Sequence, residues 1–440
     1  ALEIIRGGGA SPEILSMLAA LMMAHPDKKI AKESEKLFKQ LGSTATSDYI
    51  KKSKISLRRS GSSFNKVNRL FKQDIALDEI TFRIMHALIA GDNANVKDVQ
   101  SGCLIINGSI DAALPALISE CHQFTNISFQ KSTGILINPT LKHLASLDRL
   151  TTLDLSGCKY EIGQEISNLR NLERLNLTSN TLLNPSDLKT LQKLTWLSVE
   201  GCQIKDWEFL HHLPNLKYLH VGRNKLQEIP EAILKHKGIE EIILKQNKIT
   251  TIPEQILDCS FTSLDLSNNL IEEINYNLFK MQGLKSLLLR SNKIKTFDAR
   301  QIPKNSSLHL LNLASNSIEN FELLPSTFPY LWTLDLSKNK LTELHDSIFD
   351  TTFISSLYAS DNKISSIPKS TIQRTFKYLF LKDNLIKELP EFIKNLQAQN
   401  LDLRNNQIDS IHPSIVNDKG DYSKLYWKLD GNPVRYIPYN

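Results

Sequence analysis

The side chains that could carry covalent chemistry are present, but none is arranged for turnover. His211-His212 runs into Leu213-Pro214, a turn signal, and no third ligand stands near the pair to complete a metal site. Asp154, Asp265, Asp335 and Asp402 recur at one position of a repeating pattern, too far apart to act together as acid and base. The chain carries no Gly-Lys-Ser phosphate loop, no G-x-G-x-x-G, no C-x-x-C and no H-E-x-x-H. The expectation is a chain with no catalytic residue, no cofactor, no metal and no small-molecule substrate, that is, not an enzyme.

What positions these residues is a repeat. Leu264-Asp265-Leu266-Ser267-Asn268-Asn269 shows the unit: an apolar residue three places earlier, then Leu-x-Leu-x-x-Asn, then another apolar residue. Units begin at Leu150, Leu172, Leu194, Leu216, Ile239, Phe261, Leu284, Leu308, Leu331, Ile354, Phe376 and Ala398, spaced 22 to 24 residues apart. The Asn position is filled by Cys158, Asn180, Cys202, Asn224, Asn247, Asn269, Asn292, Asn316, Asn339, Asn362, Asn384 and Asn406. Leu-x-Leu alternates at period two, so each unit contributes a short strand with one buried face. The buried Asn amide can satisfy backbone carbonyls where the chain leaves the strand, and a Cys fills the same space as a small, mostly apolar side chain. One unit cannot bury enough apolar surface to fold alone, so units must stack.

This pattern resembles the leucine-rich repeat family, L-x-x-L-x-L-x-x-N/C-x-L. The resemblance implies an α/β right-handed solenoid, a horseshoe with a parallel concave sheet. Ile229-Pro230, Ile252-Pro253, Ile367-Pro368 and Leu389-Pro390 keep long helices out of the outer segments. In this the units resemble intracellular repeats of the Ras-suppressor and ROCO kind.

Ahead of the repeats the chain reads as a small all-α region. Residues 12–41 form a HEAT-like pair of helices, with Ser11 as cap and Pro12 in the first turn. His25-Pro26-Asp27 matches a tripeptide of J-domain co-chaperones, but that motif needs a basic helix before it and Ile14 to Ala24 carries no charge, so it reads as a turn. Residues 42–73 are rich in Ser, Lys and Arg, and a helix opens at Asp78-Glu79. The expected division is 1–102 helical, 103–149 an N-terminal cap or degenerate repeat, 150–420 twelve repeats and 421–440 a C-terminal cap.

Composition bounds the setting. The formal net charge of +6 on 440 residues does not demand a nucleic acid partner. No uncharged apolar run is long enough to span a membrane, and Ala1 to Gly9 lacks the order of a signal peptide. Five cysteines without flanking cysteine clusters point to a reducing compartment, the cytoplasm.

The strand register then names the open face. Trp196, Tyr218 and His220 stand there on neighbouring strands, Ile243, Leu288 and Leu310 follow, and Tyr358, Tyr378 and Phe380 form a second aromatic cluster. Lys245, Arg290, Lys382 and Arg404 make an intermittent basic edge. Aromatic and basic residues on a rigid sheet have the composition of a protein-binding hot spot. The leading expectation is a monomeric interaction module or scaffold that binds a protein on this face. A second reading gives the activity to the N-terminal helical region, as in a host-directed effector or an enzyme regulator. A third gives nucleic acid or an acidic membrane to the basic segment 51–72.

Overall fold

The computed structural model describes residues 11–25, 27–42, 48, 82, 102–106, 114, 118–119, 121–303, 306–324, 327–350, 354–415 and 427–434. The basic segment 51–72 and the helix expected from Asp78 to Gly91 lie almost wholly outside them. The reading that gives an anionic ligand to that segment therefore lies outside the described residues. The chain divides into two compact units, residues 1–216 and 217–440.

The first unit opens with a helical hairpin, α1 (Pro12–Ala24) and α2 (Lys28–Leu41). Ser11 Oγ accepts from Ile14 N at 3.4 Å and caps α1, and Asp27 caps α2 by accepting from Lys29 N at 2.7 Å. Leu15, Leu18 and Ala19 of α1 and Leu37 and Phe38 of α2 are buried. His25 follows the end of α1 and Asp27 precedes the start of α2.

The strands β1 (Cys103–Ile105), β2 (Asn126–Ser128), β3 (Thr152–Asp154), β5 (Arg174–Asn176) and β7 (Trp196–Ser198) follow in parallel register, with Leu104, Ile127, Leu153, Leu175 and Leu197 buried in the middle of each. The pairing thus begins ahead of the first regular unit in the sequence. A helix, α3 (Ile137–Leu144), follows β2, and a short outer ladder pairs β4 (Glu161–Ile162) with β6 (Thr181–Leu182).

The second unit repeats the plan in β8 (Tyr218–His220), β9 (Glu241–Ile243), β10 (Ser263–Asp265), β11 (Ser286–Leu288), β12 (Leu310–Asn312), β13 (Thr333–Asp335), β14 (Ser356–Tyr358), β15 (Thr375–Phe380), β17 (Gln397–Asp402) and β19 (Trp427–Lys428). Each pairs in parallel with the next. A second outer ladder joins β16 (Glu388–Leu389) to β18 (Ser410–Ile411). The outer segments hold only short helical turns, as the prolines lead one to expect, and each proline stands at the start of one. Pro230 precedes the one-turn helix α4 (Glu231–Lys235), and Pro253, Pro368 and Pro390 each precede a five-residue 3-10 turn. A fixed φ and a missing N–H suit the entry to such a turn.

The Asn ladder is the fold's internal brace. Asn339 Nδ2 donates to Leu336 O of its own unit and Leu313 O of the preceding one, both at 3.0 Å, while its Oδ1 accepts from Ile318 N at 3.0 Å. Asn362, Asn384 and Asn406 repeat the same set. Asn432 extends it, donating to Leu403 O at 2.9 Å and Leu429 O at 2.8 Å. The two cysteines do more than fill space. Cys158 Sγ lies 2.9 Å from Phe129 O and Cys202 Sγ 3.0 Å from Leu177 O, so the thiol donates across the repeat where the amide otherwise would. Burial pushes both thiols up, that of Cys202 to about 11.

The residue before the Asn turns through positive φ in unit after unit, at 56° to 58° in Arg223, Gln246, Asn268, Ser291, Ser315, Lys338, Asp361 and Asp383. Glycine takes this place at Gly431, with φ 76°, where an added Cβ would run into Asn405 Oδ1.

Candidate interaction surface

Register decides which residues face outward. The aspartates that recur on the strands are spent on the backbone: Oδ1 of Asp154, Asp265 and Asp335 accepts from Ser156 N, Ser267 N and Ser337 N at 2.8, 2.9 and 3.0 Å. Asn176 and Asn312 do the same for Thr178 N and Ala314 N. A short acceptor here closes the turn out of the strand. Among the described residues no group of three His, Cys, Asp or Glu side chains could hold a metal ion. His211 is exposed and lies 3.4 Å from Glu208 Oε2, one turn of the same 3-10 segment away.

Several polar residues on or just after these strands are buried. Ser198 is 2% exposed and shares a hydrogen bond with Thr178 Oγ1 at 2.8 Å, and Glu200, Ser267 and Ser356 are buried as well. Asp402 is 4% exposed and takes both Arg404 Nε (2.9 Å) and Nη2 (2.6 Å). Burial works against its charge, but the guanidinium hydrogen bonds win and hold the carboxyl below its ordinary range. Arg404 is therefore no free member of a basic edge. Lys382 is likewise paired, 3.0 Å from Asp383.

The two units divide the first aromatic group, Trp196 falling in one and Tyr218 and His220 in the other. Trp196 is half-buried, with the Arg174 guanidinium 4.8 Å from its ring centroid. Tyr218 is exposed, and His220 Nε2 lies 3.6 Å from Glu241 Oε1. Ile243, Lys245, Leu288 and Leu310 are half-buried, and Arg290 is exposed.

The second group is a true cluster. Tyr358 and Tyr378 stack at 6.3 Å between centroids, and Phe380 meets them edge-on at 5.3 and 5.7 Å. All three are half-buried on β14 and β15, paired Ser356↔Tyr378 and Tyr358↔Phe380. Lys377 Nζ sits 5.4 Å from the Tyr378 centroid. The rings pack on one another, so they form a raised platform and leave no cage for a ligand cation.

Sequence reasoning missed the most exposed aromatics among the described residues. Trp332 is 55% and Tyr330 52% exposed, and both lie against His309, whose ring centroid is 5.2 Å from the first and 6.1 Å from the second. Trp332 occupies the residue just after the first apolar position of its unit. That position lies at the N-terminal rim of the strands, one place outside those assigned to the open face. The signal was there to read: the same position holds Lys285, His309, Trp332, Ser355 and Lys377 in successive units.

A separate recess of about 450 Å³ lies beyond the C-terminal ends of β9 to β11, lined by Ile252, Leu270, Ile274 and Lys293, and it contains none of these aromatics.

Residues 259–318 match the profile of the leucine rich repeat family. Solved structures with the same fold include a leucine-rich repeat protein of Leptospira interrogans, at 24% identity and a TM-score of 0.59 over 73% of this chain and 88% of that one. An internalin of Listeria monocytogenes aligns at 22% identity and a TM-score of 0.55, over 66% of this chain and 82% of that one. The Toll–Spatzle complex of Drosophila aligns at 21% and 0.58, over 74% of this chain but 47% of that one. No curated protein sequence matches this chain. At these identities the likeness establishes the fold and nothing finer. With the matched repeats and the strand register seen within each unit, the chain has the leucine-rich repeat fold.

Proposed function

We propose that this chain is a non-enzymatic protein-interaction module and that the aromatic platform of Tyr358, Tyr378 and Phe380 is the centre of its binding surface. The observation that carries the reading is the platform itself: three large rings, half-open to solvent, fixed on adjacent strands whose backbones are hydrogen-bonded throughout. Rigid aromatic surface costs little side-chain entropy to immobilise, which makes it the usual anchor of a protein interface. Tyr218, His220, Ile243, Lys245, Leu288, Arg290, Leu310 and Lys382 of the second unit belong to the same proposed surface, and Trp196 of the first unit is proposed separately as a contact residue on its own strand. Toll, which shares the fold, was solved with a bound partner, Spatzle. The five cysteines are free thiols, and a reducing, cytoplasmic setting is part of this reading.

The test is capture of partners from native lysate by the full chain and by a Tyr358→Ala/Phe380→Ala variant, with circular dichroism as the check on folding. Loss of a captured protein with an unchanged spectrum supports the platform. Equal capture by both proteins removes it.

A further inference from the structure

We infer that the partner is an extended acidic peptide segment, and that it is gripped along the N-terminal rim of β12 to β15 by Trp332, Tyr330 and the two lysines that flank them. This deepens the protein-binding reading and rests on it.

The rim is a continuous built row. Lys285 O accepts from His309 N (2.8 Å), His309 O from Trp332 N (2.9 Å), Trp332 O from Ser355 N (3.0 Å) and Ser355 O from Lys377 N (2.7 Å). Each side chain in the row is therefore held one strand from the next. Trp332 and Tyr330 leave more than half of their surfaces open to solvent. A grouped pair of open aromatics on a fixed backbone marks a contact site where a lone surface residue would not.

Charge then selects the occupant. Lys285 and Lys377 bracket the aromatics, both are exposed, and neither ends in an ion pair among the described residues. In the same row Lys217 is closed by Glu240 at 2.9 Å, so the register does allow self-pairing, and it is absent around Trp332. The carboxylate nearest in register, Asp335, is occupied by Ser337 N and by Asn312 Nδ2 at 3.1 Å. The uncommitted charge beside the rings is thus positive. Strands about 4.8 Å apart put Lys285 and Lys377 roughly 19 Å from one another, the span of about six extended residues. Two lysines at that separation suit two carboxylates on a peptide. A nucleic acid, with its phosphates far closer together, needs a continuous basic groove.

The probe is a displayed library of random peptides about twelve residues long, panned on the immobilised full chain; twelve residues comfortably exceed the expected footprint. The expected winners carry net negative charge with an aromatic or aliphatic residue between the acids. Their affinity should fall about 30-fold on Trp332→Ala and on Lys285→Glu/Lys377→Glu, with the melting curve unchanged, since all three side chains are exposed. Winners that are neutral or basic, or that bind both rim variants normally, overturn the rim assignment. If such winners still lose affinity on Tyr358→Ala/Phe380→Ala, the protein-binding reading survives alone. No enrichment over a Trp332→Ala/Phe380→Ala control overturns the inference. So does Lys377-dependent binding of a polyuridine oligonucleotide in place of any peptide, which assigns the row to nucleic acid.

Discussion

Asn269 reaches back 25 residues to donate to Leu244 O at 3.1 Å, while its Oδ1 accepts from Ile249 N at 3.0 Å. One side chain thus ties three points of two consecutive units. Asn269→Ala strands a buried carbonyl and a buried N–H together, which costs about 3 kcal/mol. Asn269→Cys should cost less, because the thiols of Cys158 and Cys202 already make the donor half of this contact. Denaturant unfolding of the two variants checks the order. Equal stability of wild type and Asn269→Ala would contradict the brace.

Lys338 turns through φ 57° immediately before Asn339. Glycine relieves the left-handed strain but adds freedom to the unfolded chain, so Lys338→Gly should shift stability by no more than about 1 kcal/mol. Lys338→Ile adds a β-branch where it is least tolerated and should destabilise by about 2 kcal/mol. The same unfolding assay reads both.

Cys202 and Cys259 are buried and their thiols are pushed up to about 11 from an ordinary value near 9, first of all by desolvation. A group whose value rises on folding favours the folded state fully below its unfolded value and loses that contribution as pH climbs through the folded one. Stability should therefore fall between about pH 9 and pH 11. Cys202→Ala with Cys259→Ala should flatten that slope, as melting temperature against pH will record. In native protein at neutral pH both thiols should resist alkylation, and they should label on denaturation.

Arg404 spends its guanidinium on buried Asp402. Arg404→Met leaves that carboxylate without its partner and should lower stability, while leaving partner capture through Tyr358 and Phe380 intact. Loss of capture without loss of stability would return Arg404 to the binding surface.

The repeat was readable because its buried positions are chemically monotonous: Leu311, Leu334, Leu357 and Leu379 all fall in the middle of a strand, as alternation requires. The aromatic platform was readable for the same reason, since register alone puts Tyr358 beside Phe380. Pairing between side chains was not. Nothing in the sequence says that Arg404 folds back on Asp402 or that Ser198 is covered, because those outcomes depend on rotamers and on the size of neighbours across the sheet. Trp332 was missed by one residue. Its position immediately precedes the strand, where alternation no longer fixes the side chain's face, and only the structure reveals how far it stands in solvent.

Site-specific photocrosslinking tests the central claim most directly. A photoreactive amino acid replaces Tyr378, Tyr330 or, as control, Leu257, which is 41% exposed on an outer segment. A surface centred on the second unit's aromatics predicts one common protein adduct from Tyr378 and Tyr330 and none from Leu257. The same adducts at all three positions, or none at Tyr378 and Tyr330, would contradict it.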